Sequence, residues 1–200
     1  VPDMHGCSWL MTRFLKPLEP PPGCDTILKC AHFVSMIPFL DDWQAFLGDY
    51  DMWCTCQQFL DILAGDWEEH ALLLANYFMY LSDENPDKMG ADIYLVLGTG
   101  IPEGETVYVM RKCHLTQEIV MWNASTGTAY ALSDDKCPLL DIGCICVRDN
   151  IYANIQKVGK PGEVSMDVND VKMWKPFFNE RFQYPQEGLH SKQEKRLVYT

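Results

Sequence analysis

The chain has 200 residues, of which 48% are hydrophobic, and a formal net charge of −12 at pH 7; it is long and apolar enough to form one globular domain. The negative charge argues against nucleic acid or an anionic membrane as the main partner. No apolar run approaches the ~20 residues that a transmembrane helix needs, and no signal peptide is recognisable. Because Val1 is not an initiator methionine, we expect the chain to be cut from a longer protein.

The first half of the chain is predicted to be helical. Residues 1–28 are predicted to be an extended arm outside the core, because their four prolines at 17–22 favour polyproline structure. A helix over 27–38 follows, and then a loop over 39–51 whose large aromatic residues fix it to the core. A further helix over 56–63 leads to Gly65.

The stretch 65–81, GDWEEHALLLANYFMYL, is predicted to be the central helix of the domain. Its apolar residues recur at helical spacing and form one broad face. Asp66, Glu68 and Glu69 lie in its first turn, where the positive end of the helix dipole favours acidic groups. A helix this apolar must be buried, so the side chains at its N-terminus decide the chemistry that is possible there.

The second half of the chain is predicted to be an antiparallel meander that follows a polar, turn-rich insertion at 82–90. Short β-patterned runs separated by turns indicate such strands, and they cover residues 92–98, 106–111, 118–123, 128–132 and 144–148. Residues 150–156 are ambiguous. We therefore expect an α+β domain over residues 29–184, with the central helix packed on the sheet, and a polar tail over 185–200.

The chain contains nine cysteines, an odd number that does not suit a disulfide framework at this length and hydrophobicity. We expect free and mostly buried thiols in a reducing compartment. The C-x-C pairs Cys54/Cys56 and Cys144/Cys146 lack the C-x₂₋₄-C spacing of zinc ribbons. We therefore predict neither a metal nor a cofactor.

This order of helices and strands resembles the transglutaminase-like (papain-like) superfamily. In those enzymes a G-x-C pattern opens the central helix, whose N-terminus activates the cysteine. A histidine in an H-A-W motif is the base, and an aspartate in a D-P-T motif orients it. Here G-D-W, T-V-Y and N-A-S stand at these places, which puts Trp67, Thr106 and Asn123 at the three catalytic positions.

Indole is not a nucleophile, and a threonine hydroxyl does not accept a proton near neutral pH. We therefore predict that the ancestral acyl-transfer site is inactive. The alternative is an active cysteine protease or transglutaminase in which Cys54 or Cys56 pairs with His70, and this requires contact between nucleophile and base. Cys113 and His114 are adjacent, and strand geometry directs adjacent side chains apart.

Several longer strings are similar to one family in particular. FVSMIPFL, WCTCQQFLDILAGDWEEHALLLANYF, IPEGETVYV and MWNASTGTAY resemble the C-terminal region of the coiled-coil and C2-domain-containing ciliary proteins, and the similarity covers nearly the whole chain. The resemblance implies a transglutaminase-like domain thought to lack catalysis. It also implies a cytoplasmic protein of the ciliary transition zone or basal body that is needed for cilium assembly, whose membrane contact belongs to the C2 part.

We accordingly predict a protein- or peptide-binding module. Trp67, Tyr108, Trp122 and Asn123 are the candidate peptide-binding residues, because a retained cleft with aromatic walls can hold a peptide. Core packing is the simpler interpretation for each of them alone. The candidate ligands are a peptide such as a tubulin tail, or another transition-zone protein, and a structural cap for a preceding C2 domain is the remaining alternative.

Overall fold

A computed structural model describes residues 1–45 and 51–179. A 3₁₀ turn at Met11–Arg13 precedes the helices, which are α1 (Ile27–Ser35), α2 (Asp42–Ala45), α3 (Cys56–Ile62), α4 (Trp67–Glu84) and α5 (Pro86–Met89). The strands follow as β1 (Ala91–Gly100), β2 (Gly104–Cys113), β3 (Ile119–Asn123), β4 (Thr128–Ala131), β5 (Leu139–Cys146), β6 (Ile151–Asn154) and β7 (Trp174–Pro176). The predicted tail and the middle of the predicted 39–51 loop lie outside the described residues.

The strands form one seven-stranded antiparallel sheet of order β4-β3-β2-β1-β5-β6-β7. The central strand β1 pairs with β2 along its whole length, but it pairs with β5 only from Leu95 to Gly100. After Cys146 the chain turns into β6. The start of β1, residues 91–94, therefore has a neighbouring strand on one side alone within the described ranges.

The two faces of the sheet belong to two separate hydrophobic clusters. Val107, Val109 and Trp122 join the cluster built around α4, whereas Tyr108 and Met110 join the cluster on the other face. This division follows from the alternation of side chains along a strand. The helices thus cover one face, and the C-terminal part of the chain covers the other with residues that include Val164 and Trp174.

The central helix α4 confirms the fold prediction. Thirteen of its 18 residues are buried, and it packs on β1 and β2 with α1 and α3 beside it. It begins with a capping box, in which Asp66 accepts a hydrogen bond from the Glu68 N–H and Glu69 reaches back to the Asp66 N–H. The domain is therefore an α+β arrangement of helices on an antiparallel sheet, as predicted. None of the helices in the described ranges has both the length and the hydrophobicity for a membrane crossing.

Two predicted elements need correction. The insertion at 82–90 is largely helical, because α4 continues to Glu84 and α5 follows it. Ser82 keeps the last turn of α4 at the core, since its hydroxyl bonds both the C=O (3.1 Å) and the N–H (2.9 Å) of Ala91. The strand predicted at 144–148 begins earlier, at Leu139, and ends at Cys146.

The N-terminal arm also differs from its prediction, because it reaches the core. Leu15 is buried within the cluster around α4. Asn76, in the middle of α4, donates from Nδ2 to the C=O of Phe14 (3.0 Å) and accepts at Oδ1 from the N–H of Lys16 (2.9 Å). The side chain of Asn76 thus supplies hydrogen-bond partners to main-chain groups of the arm. An extended segment needs such partners when its main chain is buried.

Candidate functional site

Trp67 is the first residue of α4 and directly follows the N-cap residue Asp66. Its half-buried ring lies against the ring of Phe39, with centroids 4.4 Å apart. Phe39 is held there because its segment forms a parallel bridge with Gly65, in which the Leu40 N–H donates to the Gly65 C=O (2.9 Å). The position that the sequence predicted to be a replaced nucleophile thus carries an indole packed on a phenyl ring.

Carboxyl groups crowd the same end of α4. The buried Glu69 accepts hydrogen bonds from the N–H groups of Cys54 (2.8 Å) and Asp66 (3.2 Å). Burial, with Asp66 nearby, raises the pKa of Glu69 and of Glu68. Burial likewise raises the pKa of Asp42 to about 6. The N-terminus of α4 therefore offers acidic groups that hold their protons more firmly than free carboxyls do.

Three aspartates near the start of α4 place their carboxylates close enough together to hold a metal ion. Oxygen atoms of Asp42, Asp51 and Asp66 lie within 4.8 Å of one another, and this is the one such cluster found in residues 1–45 and 51–179. Oxygen ligands of this kind suit hard divalent cations. Asp42 also accepts a hydrogen bond from the Met52 N–H through Oδ2 (2.6 Å). No spacing motif predicts this cluster, because its members come from three separate segments.

His70 is fully buried one turn into α4. Its Nδ1 lies 2.7 Å from the C=O of Asp66, and its Nε2 lies 3.0 Å from the C=O of Ile37. Its ring packs edge-on against Phe59, with centroids 4.9 Å apart. Both ring nitrogens therefore face main-chain oxygens, and the imidazole connects α4 to the segment that follows α1.

The cysteines considered as displaced nucleophiles lie close to this helix end. Burial, and secondarily the charge of Glu69, raises the pKa of the Cys54 thiol to about 12. Burial also raises the pKa of Cys56 to about 12, and its Sγ accepts a hydrogen bond from Asn76 Nδ2 (3.0 Å). Thiols with these pKa values stay protonated near neutral pH. In the described structure both ring nitrogens of His70 face oxygens, and neither faces a thiol.

Cys113 and His114 lie at the end of β2 and just beyond it. Hydrogen bonds from the side chain and main chain of Thr116 lower the pKa of the Cys113 thiol to about 7. The ring of His114 faces another group, since its Nε2 lies 2.9 Å from Asp92 Oδ1. All nine cysteines of the chain are free thiols.

Thr106, Tyr108 and Asn123 meet on the sheet face that points away from α4. Asn123 Nδ2 donates to Tyr108 Oη (3.1 Å) and to Glu103 Oε1 (3.2 Å), and Tyr108 Oη donates to the same carboxylate oxygen (3.2 Å). A Cβ atom on Gly100 would lie 3.0 Å from Glu103 Oε2 and 3.3 Å from Thr106 Cγ2, so these two side chains are neighbours. Burial raises the pKa of Tyr108.

The structure therefore does not bring together the three positions predicted to form one cleft. Trp67 contacts Phe39 on the helix side of the sheet, whereas Thr106 and Asn123 lie on the opposite face. The physical reason is the alternation of side chains along β2, which turns Val107 rather than Thr106 toward the helix.

The predicted peptide-binding residues are mostly inaccessible. Tyr108, Trp122 and Asn123 are 0%, 5% and 3% exposed. Trp122 packs edge-on against Phe78 of α4, with centroids 5.5 Å apart. A peptide can reach Trp67 alone among the four in this conformation.

An open groove lies at the other end of α4. It encloses about 770 Å³, and its walls come from the arm, the end of α4, the start of β1, the turn between β5 and β6, and the loop before β7. Thr12, Ser82, Ile93, Arg148 and Asn169 mark these five walls. Sequence reasoning missed the groove because no motif links five segments so far apart in the chain.

Comparisons with known proteins agree with the predicted resemblance. The sequence model of the CEP76 peptidase-like domain matches residues 51–177. Human protein CC2D2B is 31% identical over 97% of this chain and 14% of its own length. The coiled-coil and C2 domain-containing protein 2A of Drosophila melanogaster is 29% identical over 90% of this chain and 13% of its own length. Mouse centrosomal protein of 76 kDa is 26% identical over 89% of this chain and 28% of its own length.

This chain thus spans less than a third of each of these relatives. Among solved structures, Legionella pneumophila LapG (calcium-bound) is similar over 72% of this chain and 74% of that chain. The sequence identity is 12% and the TM-score is 0.49. The resemblance to the coiled-coil and C2-domain-containing proteins that the sequence predicted is confirmed.

Proposed function

Because this chain belongs to the family of CEP76 peptidase-like domains, we propose that it is a catalytically inactive peptidase-like domain. In this proposal it acts as a protein- or peptide-binding module within a longer protein of the cilium or centrosome. Its relatives' names, which include a centrosomal protein and coiled-coil and C2 domain-containing proteins, support that setting.

The first turn of α4 is the observation that carries the proposal. A thiol enzyme of this superfamily needs a thiolate at that position and a base in contact with it. Here the turn holds Asp66, Trp67 and Glu69, and both ring nitrogens of the nearby His70 face main-chain oxygens. The nearby thiols of Cys54 and Cys56 have raised pKa values, which supports the proposal that this end of α4 lacks the reacting groups of acyl transfer.

Thiol labelling tests the loss of activity. We expect iodoacetamide at pH 7 to modify the accessible Cys7 and Cys113, and Cys113 fastest because its pKa is low. Labelling of Cys54 or Cys56 at a comparable rate, and loss of that labelling in His70→Asn, would instead identify a displaced catalytic pair.

Expression of the 200-residue chain alone separates a binding module from a structural cap. A module with its own core folds independently, and we expect a monodisperse species with cooperative unfolding. Aggregation that is relieved only by adding the preceding C2 domain would favour the cap.

A further inference from the structure

Within the described ranges, the start of β1 carries main-chain groups without partners. The N–H of Cys113 points toward β3, since it donates to the C=O of Glu118. Main-chain groups alternate in direction along a strand, so the β2 residues opposite Asp92 and Tyr94 direct theirs toward β1. Asp92 and Tyr94 therefore bond to β2. Ile93, between them, directs its N–H and C=O to the other side of the strand.

On that side the described residues supply partners for the neighbours of Ile93 but not for Ile93. Ala91 bonds the hydroxyl of Ser82 through both main-chain groups, and Leu95 is the first residue that pairs with β5, opposite Cys146. No partner for the N–H or C=O of Ile93 is found among the described residues. Main-chain groups at the edge of a sheet are a template for pairing with another chain, and Ile93 lines the groove.

A second polar group points to a ligand in the same groove. Thr12 is 3% exposed, and its Oγ1 has no hydrogen-bond partner in the described structure. Thr12 lines the groove together with Ile93. A buried hydroxyl without a partner costs stability. A rotamer change that exposed the Thr12 hydroxyl to a ligand in the groove would recover that free energy.

Two charged side chains at the edge of the groove can also bind the charges of a peptide. Arg148 and Asp83 line it, and the distance between their charged atoms is 3.8 Å, with both side chains more than half exposed. A pair this long and this exposed contributes little to stability. Each member can therefore exchange its partner for a charge of a bound molecule at small cost.

We propose that the groove binds an extended peptide segment, which pairs with Ile93 as a short added strand and bonds the Thr12 hydroxyl. In an extended polypeptide, the N–H and C=O of every second residue point to the same side of the strand. Such an N–H and C=O are the partners that the described residues do not supply to Ile93. The inference rests on the proposed binding function and gives that function a location remote from Trp67.

The first experiment uses the 200-residue chain and a synthetic library of linear heptapeptides with capped ends. We expect the best binder to slow amide hydrogen exchange at Ile93 at least tenfold, because the bound peptide accepts its N–H. The Tyr94 amide is the internal control, since it is bonded to β2 in the free and bound states alike.

Two variants then locate the site. Thr12→Val removes the hydroxyl but keeps the shape, so we expect peptide affinity to fall roughly three- to tenfold, while the melting temperature of the free domain stays equal or rises. Asn169→Trp places an indole in the groove from an exposed position and should abolish binding. Ala129→Trp adds the same ring at an exposed position of β4, and binding should be unchanged.

The outcomes separate the two proposals. Binding that survives both groove variants, or that leaves Ile93 exchange unchanged, overturns the groove as the site while the binding function stands. If no heptapeptide binds, the proposed peptide-binding function fails, and the groove inference fails with it.

Discussion

The two ends of α4 differ in how completely their polar groups are used. At the N-terminal end, Asp66, Glu69 and His70 all bond main-chain groups, and Trp67 rests on Phe39. At the C-terminal end, the described residues leave the main chain of Ile93 and the hydroxyl of Thr12 without partners beside an open groove. The polar groups at the N-terminal end are thus engaged within the domain, whereas those at the C-terminal end border an open space.

Among these substitutions, we expect His70→Ala, at the N-terminal end of α4, to lower the free energy of unfolding most. The substitution removes a fully buried ring and both of its contacts to main-chain oxygens. We expect a loss of about 3–4 kcal/mol in the free energy of unfolding, measured by urea denaturation. His32→Ala, at an exposed position of α1, should change it by less than about 0.5 kcal/mol. A loss for His70→Ala as small as that of the control would mean that the imidazole is not structural.

Gly65→Ala tests how tightly the same end is packed. An added Cβ would lie 2.8 and 2.9 Å from ring carbons of Phe59 and 3.0 Å from Glu69 Cβ. We expect a cost of about 1–3 kcal/mol from forced overpacking, seen as a lower urea midpoint. Gly143→Ala is the matched control, because its Cβ would meet nothing closer than 3.6 Å. Equal stability of the two variants would show that the turn before α4 has spare room.

Ser82→Ala tests how much the hydroxyl at the C-terminal end of α4 contributes to stability. The variant loses both hydrogen bonds to Ala91, but Ala91 also lines the groove, so water can replace the hydroxyl in part. We therefore expect a loss of only about 1 kcal/mol in the free energy of unfolding. Ser35→Ala, which removes a hydroxyl bonded within an exposed helix end, should cost less. A loss near that of His70→Ala would contradict the contrast between the two ends.

The smallest effect should come from the titration of Asp42. Burial raises its folded-state pKa to about 6, above the ordinary aspartate value of about 3.9, so the folded state binds more protons than the unfolded state between these pH values. Its contribution to stability is therefore complete below about pH 4 and is lost as the pH rises through about 6.

Thermal unfolding across pH 4–8 can isolate that contribution. Asp42→Asn should flatten the decline in stability between pH 4 and 6, by less than about 1 kcal/mol because the carboxyl is partly exposed. A profile for Asp42→Asn that stays parallel to that of the parent chain would contradict the assigned pKa.

Local patterns predicted much of the fold. The apolar periodicity of α4 and the alternation of β1 to β4 located these elements to within a few residues. β7 was missed because three residues around Trp174 are too short to show a period. The end of α4 was misplaced because Ser82, a polar residue, is buried by a tertiary contact with Ala91 that the sequence does not reveal.

The candidate site was predicted less well, for a geometric reason. Alignment with the H-A-W motif predicted that the side chain of Thr106 faces the start of α4. A shift of one residue along a strand, however, turns a side chain to the other face of the sheet. Val107 therefore faces α4, and Thr106 joins Tyr108 and Asn123 behind the sheet. Trp67 was placed correctly at the start of the helix, because the preceding capping residues fix that position.

The hold of Asn76 on the arm has a mechanical consequence. This side chain fastens Phe14 and Lys16 to the middle of α4, and the same stretch of arm forms one wall of the groove. Tension on this stretch of the arm would load the two hydrogen bonds of Asn76 and, through them, one wall of the groove.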